Sequence, residues 1–109
     1  MKRARPHSRT TLEAARLLGA RIRVARRERR WTLQELADRV GATPATIRKV
    51  ERGNPTVGLG VAFEAAMLLG VPLFHHDSER RGLEAKRVDD RLAVLPQAVR
   101  QPTNVSNDF

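Results

Sequence analysis

The stretch that most constrains the fold of this chain is residues 32–53, TLQELADRVGATPATIRKVERG. Thr32 and Glu35 have the spacing of a capping box, in which the hydroxyl and the carboxylate each accept from the other residue's amide. Gly41 supplies the left-handed conformation that ends a helix. Thr43 and Pro44 then combine an N-cap with the preferred first helical residue. The stretch therefore predicts two short helices, the second over 44–52 and ended by Gly53, that meet at a sharp angle.

A longer helix is predicted before this stretch, from Thr11 to near Arg29, because apolar residues recur there at three- and four-residue steps. Thr10 or Thr11 is the expected N-cap. The face opposite the apolar stripe carries four arginines: Arg16, Arg23, Arg27 and Arg30.

The chain after Gly53 predicts a fourth helix over about 59–69, closed by Gly70, and a further one over about 79–90, capped by Ser78. Residues 71–76 are expected to form a strand or a turn of helix, and the apolar run 92–95 ends before Pro96. The fold class is therefore all-α: a compact bundle of four to five helices with a C-terminal helical extension and mobile tails. The expected segments are a mobile basic arm (1–10), a helical domain (11–75), a helical extension (76–100) and a flexible tail (101–109).

The helix over 44–52 has the side chains that a major groove accepts. Ile47 and Val50 are expected to face inward, which leaves the basic side chains outward. Arg48 and Lys49 can donate to guanine, Thr46 can bond to bases or phosphates, and Ala45 can touch a thymine methyl. The helix starts at Leu33 and Pro44 can hold phosphates through their amides. The expected backbone contacts are Thr32, Leu33, Gln34, Arg39, Arg52 and Arg30. The alternative is a helix pair inside some other helical domain.

The charge is distributed in agreement with a polyanionic partner. Residues 1–52 contain 15 Lys or Arg against 5 Asp or Glu, a net charge of +10, whereas residues 53–109 contain 6 against 7, a net charge of −1. The excess therefore lies on the half that carries the two short helices, as expected for a protein that binds nucleic acid. A solvated basic face is the alternative.

The fourth predicted helix is apolar all round, with Glu64 as its only charge. Such a helix requires burial on all sides, and Phe63 and Met67 are expected on the side that meets another chain. The alternative is that the C-terminal segment folds back over it. Phe109, at the terminus, is a candidate hook for a partner.

Other classes of chemistry find little support in the sequence. Cysteine is absent, and the adjacent His75 and His76 lack further ligands, so neither a thiolate site nor a metal site is expected. No phosphate-binding glycine loop or serine–histidine arrangement stands out, and no catalytic residue or cofactor is expected. No apolar run is long enough to span a membrane, and no signal peptide is evident, so a cytoplasmic, nucleoid-associated protein is expected.

Residues 18–74 resemble the Cro/C1-type (XRE) helix-turn-helix domain of the lambda-repressor-like fold. The resemblance rests on Arg26, Thr32–Glu35–Leu36–Ala37, Val40–Gly41, Ala45–Thr46–Ile47, Glu51–Arg52–Gly53 and Leu69–Gly70–Val71. More narrowly, Trp31-Thr32, Pro44–Ile47 and the loop 54–56 resemble the HipB group, antitoxins that repress their own operon and bind a HipA-like serine/threonine kinase toxin.

This resemblance implies roles for particular residues. Bases would be read at Thr43, Pro44, Ala45, Arg48 and Lys49. Arg26 and Glu51 would form an ion pair between the first and third helices, and a two-fold dimer would bind a palindromic operator. The segment 72–76, which contains Leu73 and Phe74, would pair as a strand across the dimer.

The sequence departs from the family at five positions. Leu33 stands where a phosphate-binding Gln is common, Gly58 replaces a Ser or Thr cap, and Arg30 replaces Gly or Asn. Pro44 and Ala45 have less donor capacity than the Gln, Ser or Arg that is usual at base-reading positions. A left-handed Arg30 would cost about 1 kcal/mol. The sequence is compatible with three functions: a DNA-binding antitoxin, a stand-alone transcriptional repressor, and a protein-interaction adaptor.

Overall fold

The computed structural model describes residues 6–99, which form five helices and no extended strand. The helices are α1 (Arg9–Glu28), α2 (Leu33–Val40), α3 (Pro44–Glu51), α4 (Leu59–Leu68) and α5 (Ser78–Val94). The predicted all-α class is confirmed.

The ends of α2 and α3 follow the predicted local chemistry. The Thr32 hydroxyl accepts from the Glu35 amide at 3.0 Å, and the Glu35 carboxylate accepts from the Thr32 amide at 2.8 Å. Gly41 ends α2 with a φ of 86°. Thr43 caps α3 by accepting from the Thr46 amide at 3.1 Å. One residue, Ala42, therefore separates the stop of one helix from the cap of the next.

The start of α1 differs from the prediction. The helix begins at Arg9, and its cap is Ser8, whose hydroxyl accepts from the Thr11 amide at 3.1 Å. The predicted start at Thr11 and the cap by Thr10 or Thr11 are wrong. All three hydroxyl residues have the chemistry of a cap, and only the backbone geometry selects among them.

A hydrophobic core lies within residues 6–73 and draws on every helix of that range. Its buried members are Ile22 of α1, Leu36 and Ala37 of α2, Ile47 and Val50 of α3, Ala62, Ala65 and Ala66 of α4, and the following Leu69 and Val71. Helices α1 and α3 approach closely at Gly19, where a Cβ atom would lie 2.7 Å from the Glu51 carbonyl oxygen. The glycine thus sets the separation of the two helices.

Helix α4 buries small side chains and exposes two large apolar ones, Leu59 and Met67. Its cap position, Gly58, makes no side-chain hydrogen bond. Of the two residues expected on its outer side, Met67 is 56% exposed but Phe63 is half-buried. The core therefore buries only part of the apolar surface of this helix.

A second compact unit begins at Phe74 and contains α5. Its cap is Asp77, which accepts from the Glu79 amide at 2.9 Å, and the helix continues to Val94. The predicted cap by Ser78 and the predicted end at Asp90 are wrong, because Asp77 is the better placed acceptor and Leu92–Val94 continue the same helix. No residue of α5 is buried. The preceding segment, 71–76, forms a loop rather than a helical turn or an extended strand.

No helix within residues 6–99 is long and apolar enough to cross a membrane.

Candidate nucleic-acid interface

Helix α3 presents one basic face to solvent. Ala45, Arg48, Lys49 and the capping Arg52 are exposed. Arg48 and Lys49 lie three and four residues from both Ala45 and Arg52, so the four share a face. Ile47 and Val50 lie on the opposite, buried face. Three cationic side chains with donor groups therefore stand around one small methyl group, an arrangement that admits close approach of a nucleic-acid groove.

The threonines at the start of α3 are less available than the sequence suggests. The Thr43 hydroxyl accepts from the Thr46 amide, and the two hydroxyl oxygens lie 3.0 Å apart within hydrogen-bonding distance. Thr46 and Pro44 are also half-buried. Of the six residues predicted to contact bases, Ala45, Arg48 and Lys49 are therefore the most open.

A buried ion pair fixes α3 to α1. Arg26 and Glu51 are each 8% exposed, and the guanidinium donates to both carboxylate oxygens, from Nε at 2.6 Å and from Nη2 at 3.0 Å. Its remaining nitrogen, Nη1, donates to the Trp31 carbonyl at 2.8 Å. One arginine thus ties together α1, α3 and the loop before α2. Bidentate geometry of this kind orients both partners strongly.

A depression of about 150 Å³ lies beside this ion pair, between α1, the start of α2 and the end of α3. Five arginines, one glutamate and one leucine line it: Arg23, Arg26, Arg27, Leu33, Arg48, Glu51 and Arg52. The depression therefore joins predicted contact residues to Arg23 and Arg27. The sequence marked these two α1 arginines only as a basic face, and their helical spacing was the available signal.

A family model described as a helix-turn-helix domain matches residues 17–77, more than half of the 109-residue chain. The chain belongs to the helix-turn-helix domain family. This membership identifies α2 and α3 as the helix-turn-helix and makes DNA the partner class of the domain. Searches of curated proteins and of solved structures gave no significant match.

The start of α2 in this helix-turn-helix leaves two amides for a ligand. The Thr32 and Glu35 amides are occupied by the capping box. The amides of Leu33 and Gln34 have no hydrogen-bond acceptor among residues 6–99. The Gln34 side-chain amide donates one N–H to Asp38 at 2.8 Å, and its second N–H remains for another acceptor.

Trp31, just before the helix-turn-helix, lies between two arginines. The guanidinium carbons of Arg39 and Arg29 lie 4.2 Å and 5.4 Å from the ring centroid. Arg29 also donates to the Leu68 carbonyl at 2.9 Å, at the end of α4. Arg39 is held by stacking on the Trp31 ring. It does not line the depression described above.

Arg30 has the left-handed conformation that its position predicted, with a φ of 60°. The Trp31 amide donates to the Arg26 carbonyl and the Arg30 amide to the Arg27 carbonyl, which is the bonding pattern of a glycine-terminated helix. The exposed Arg30 therefore occupies a strained turn directly before α2.

The residues expected at a dimer or partner interface fall into different environments. Met67 is exposed, Phe63 is half-buried, and Leu73 is half-buried against the core of its own unit. Phe74 is 87% exposed, with a φ of 71°. Phe109 lies outside the described residues. Within residues 6–99, no group of three metal-ligating side chains is present.

Proposed function

We propose that this chain is a sequence-specific transcriptional repressor that binds a palindromic operator as a homodimer and serves as the antitoxin of a HipBA-like operon. The observation that carries the DNA-binding part is the exposed face of α3, in which Arg48 and Lys49 flank the small side chain of Ala45. Base reading by Thr43, Pro44 and Thr46 is part of the proposal.

Specific reading requires a rigid helix, and the surroundings of α3 support one. Its buried face packs in the core, and Glu51 is held by two hydrogen bonds from Arg26. The side chains on the outer face therefore start from a fixed backbone, which reduces the entropy lost on binding.

Contacts to the DNA backbone would position the domain without reading sequence. The open amides of Leu33 and Gln34 and the exposed Arg52 are the best placed of these contacts. Thr32, Arg30 and Arg39 complete the proposed set.

A homodimer would give a recognition helix of only eight residues the contact area that binding to an operator requires. Two copies related by a two-fold axis would double the contact set and match a palindrome. Met67 and Phe74 are exposed apolar side chains that a second copy would cover.

The DNA-binding proposal is tested by substitution on α3. We expect Arg48→Ala or Lys49→Ala to weaken binding to an operator selected from a random DNA pool by about 1–3 kcal/mol, through loss of a bidentate base contact. Affinity for random duplex should fall less. Arg21→Ala, which removes an exposed α1 arginine that does not line the depression, is the matched control. Equal losses on both duplexes would show that these side chains touch only phosphates.

The antitoxin proposal is supported by the HipB-like residues around Trp31 and by the exposed apolar residues of α5. Its test is co-expression with the product of the adjacent gene, followed by co-purification. A stoichiometric complex with a HipA-like kinase supports the antitoxin. Operator binding without such a complex supports the stand-alone repressor, and binding to a protein but not to DNA supports the adaptor. Deletion of Phe109 tests whether the terminus is the hook.

A further inference from the structure

We propose that the arginine-lined depression between α1 and α3 binds one phosphate of the DNA backbone, and that Arg23 and Arg27 make α1 part of the DNA interface. This inference rests on the proposed DNA binding and adds a site and two residues to it.

The charge of the depression is the first argument. Arg23, Arg27, Arg48 and Arg52 are all exposed, and none forms an ion pair with a carboxylate among the described residues. Four guanidinium groups around one small space repel one another, and an anion placed among them removes that repulsion.

The ion pair beside the depression explains why a carboxylate there does not repel the phosphate. Glu51 is the only acidic residue in the lining, and Arg26 donates to both of its oxygens. The charge of Glu51 is thus compensated by Arg26, and the four remaining arginines give the depression a net positive charge.

Size favours a single phosphate over a larger ligand. The volume of about 150 Å³ lies below the range of about 300–1,000 Å³ that is usual for small-molecule pockets. Guanidinium groups match phosphate oxygens through paired N–H donors. A phosphate group is small enough to be surrounded by several of these side chains at once.

The position of the depression indicates which phosphate-bearing molecule it meets. Arg48 lines the depression and also belongs to the outer face of α3, while Leu33 places the open start of α2 at the same site. A helix that enters a major groove is flanked by the backbone on either side. DNA read by Arg48 would therefore bring a backbone phosphate within reach of Arg23 and Arg27.

The experiment measures operator affinity over a range of salt concentrations for Arg23→Gln, Arg27→Gln and the double variant. The slope of log K against log[salt] is negative, and each lost phosphate contact should reduce its magnitude by about 0.9. We expect the double variant to lose affinity for operator and random duplex by the same factor. Arg21→Gln, which makes the same charge change elsewhere on α1, should keep the wild-type slope.

A second measurement locates the contact. Methylphosphonate is placed at single backbone positions of the operator, which removes one charge at a time. At one position per half-site, the substitution should weaken the wild type but leave the double variant unchanged. No variant should unfold at a lower temperature than the wild type, because the exchanged side chains are exposed and the loss of Arg23 or Arg27 relieves repulsion in the depression.

The outcomes separate this inference from the function on which it rests. Equal salt slopes for the double variant, the control and the wild type overturn the phosphate site and leave the repressor standing. Loss of an acidic protein partner with unchanged DNA affinity also overturns it. Absence of any salt-dependent DNA binding by the wild type overturns both proposals.

Discussion

Helices α1 and α5 have similar lengths and highly charged sequences, yet they are stabilised in different ways. Helix α1 has 20 residues and buries Gly19, Ile22 and Arg26, so packing and a buried ion pair hold it. Helix α5 has 17 residues and buries none. Its visible support is local: the Asp77 cap and the exposed Lys86–Asp90 pair at 3.2 Å.

This difference indicates that the first unit folds independently, whereas the stability of α5 depends on a partner surface. An isolated helix of this length is marginal in water, since most helical stability in proteins comes from packing of an apolar face. Leu83, Val88 and Leu92 of α5 are all exposed. The unit up to Leu73 should therefore fold independently, whereas the helical stability of α5 should increase when its apolar residues are covered.

The largest expected difference in stability is between variants of the two ion pairs, one in each unit. Arg26→Met should destabilise the first unit by about 3–5 kcal/mol, because it leaves the Glu51 carboxylate buried without a partner. Lys86→Met, which breaks the exposed pair of α5, should cost less than about 1 kcal/mol. Urea unfolding followed by Trp31 fluorescence measures the first change and far-UV circular dichroism the second. Equal costs would remove the distinction between the units.

A matched leucine pair gives the next effect. Leu36→Ala should cost about 2–5 kcal/mol, because Leu36 is fully buried and its loss leaves a cavity. Leu92→Ala should change stability by less than about 0.5 kcal/mol, since Leu92 is 61% exposed. Denaturant midpoints at low protein concentration measure both. A large cost at Leu92 that grows with protein concentration would show that α5 is covered by a second copy.

A matched glycine pair should give effects of opposite sign. Gly19→Ala places a Cβ atom against the Val50 and Glu51 carbonyls and should cost about 1–3 kcal/mol. Gly82→Ala in α5 meets nothing within 4 Å and should stabilise that helix by about 0.5–1 kcal/mol. Thermal melts compare the two. Tolerance of alanine at Gly19 would contradict the close crossing of α1 and α3.

The smallest expected effect tests strain within the first unit. Arg30→Gly should raise stability by about 0.5–1 kcal/mol, because glycine adopts the left-handed conformation without a steric penalty. The same variant should bind operator less tightly if Arg30 contacts the backbone. A gain in stability with unchanged affinity would leave the arginine without a role in binding.

Local chemistry made much of the fold predictable. The capping box of Thr32 and Glu35, the stop at Gly41 and the cap at Thr43 are short-range hydrogen-bonding patterns, and each has its predicted partner. Where several residues offered the same chemistry, the sequence did not decide. Ser8 caps α1 and Asp77 caps α5, although neighbouring hydroxyls were equally plausible.

Most of the tertiary proximity was not predictable from the sequence; the exception is the Arg26–Glu51 pair between α1 and α3, which the family resemblance implied. Helices α1 and α3 meet closely at Gly19, and nothing periodic in the sequence marks that glycine as a crossing point; the depression lies between the same two helices. Arg23 and Arg27 were visible as one basic face of a helix. Only the crossing brings them to Arg48 and Arg52, and so to the candidate interface.

The most direct test of the central claim is selection of bound duplexes from a random DNA pool, followed by titration of the selected duplex and a scrambled duplex of equal length. A sequence-specific helix-turn-helix protein should bind the selected duplex at least about 10³-fold more tightly at physiological salt. The selected sequence should contain two inverted half-sites about one helical turn apart. Equal affinity for both duplexes would contradict the account.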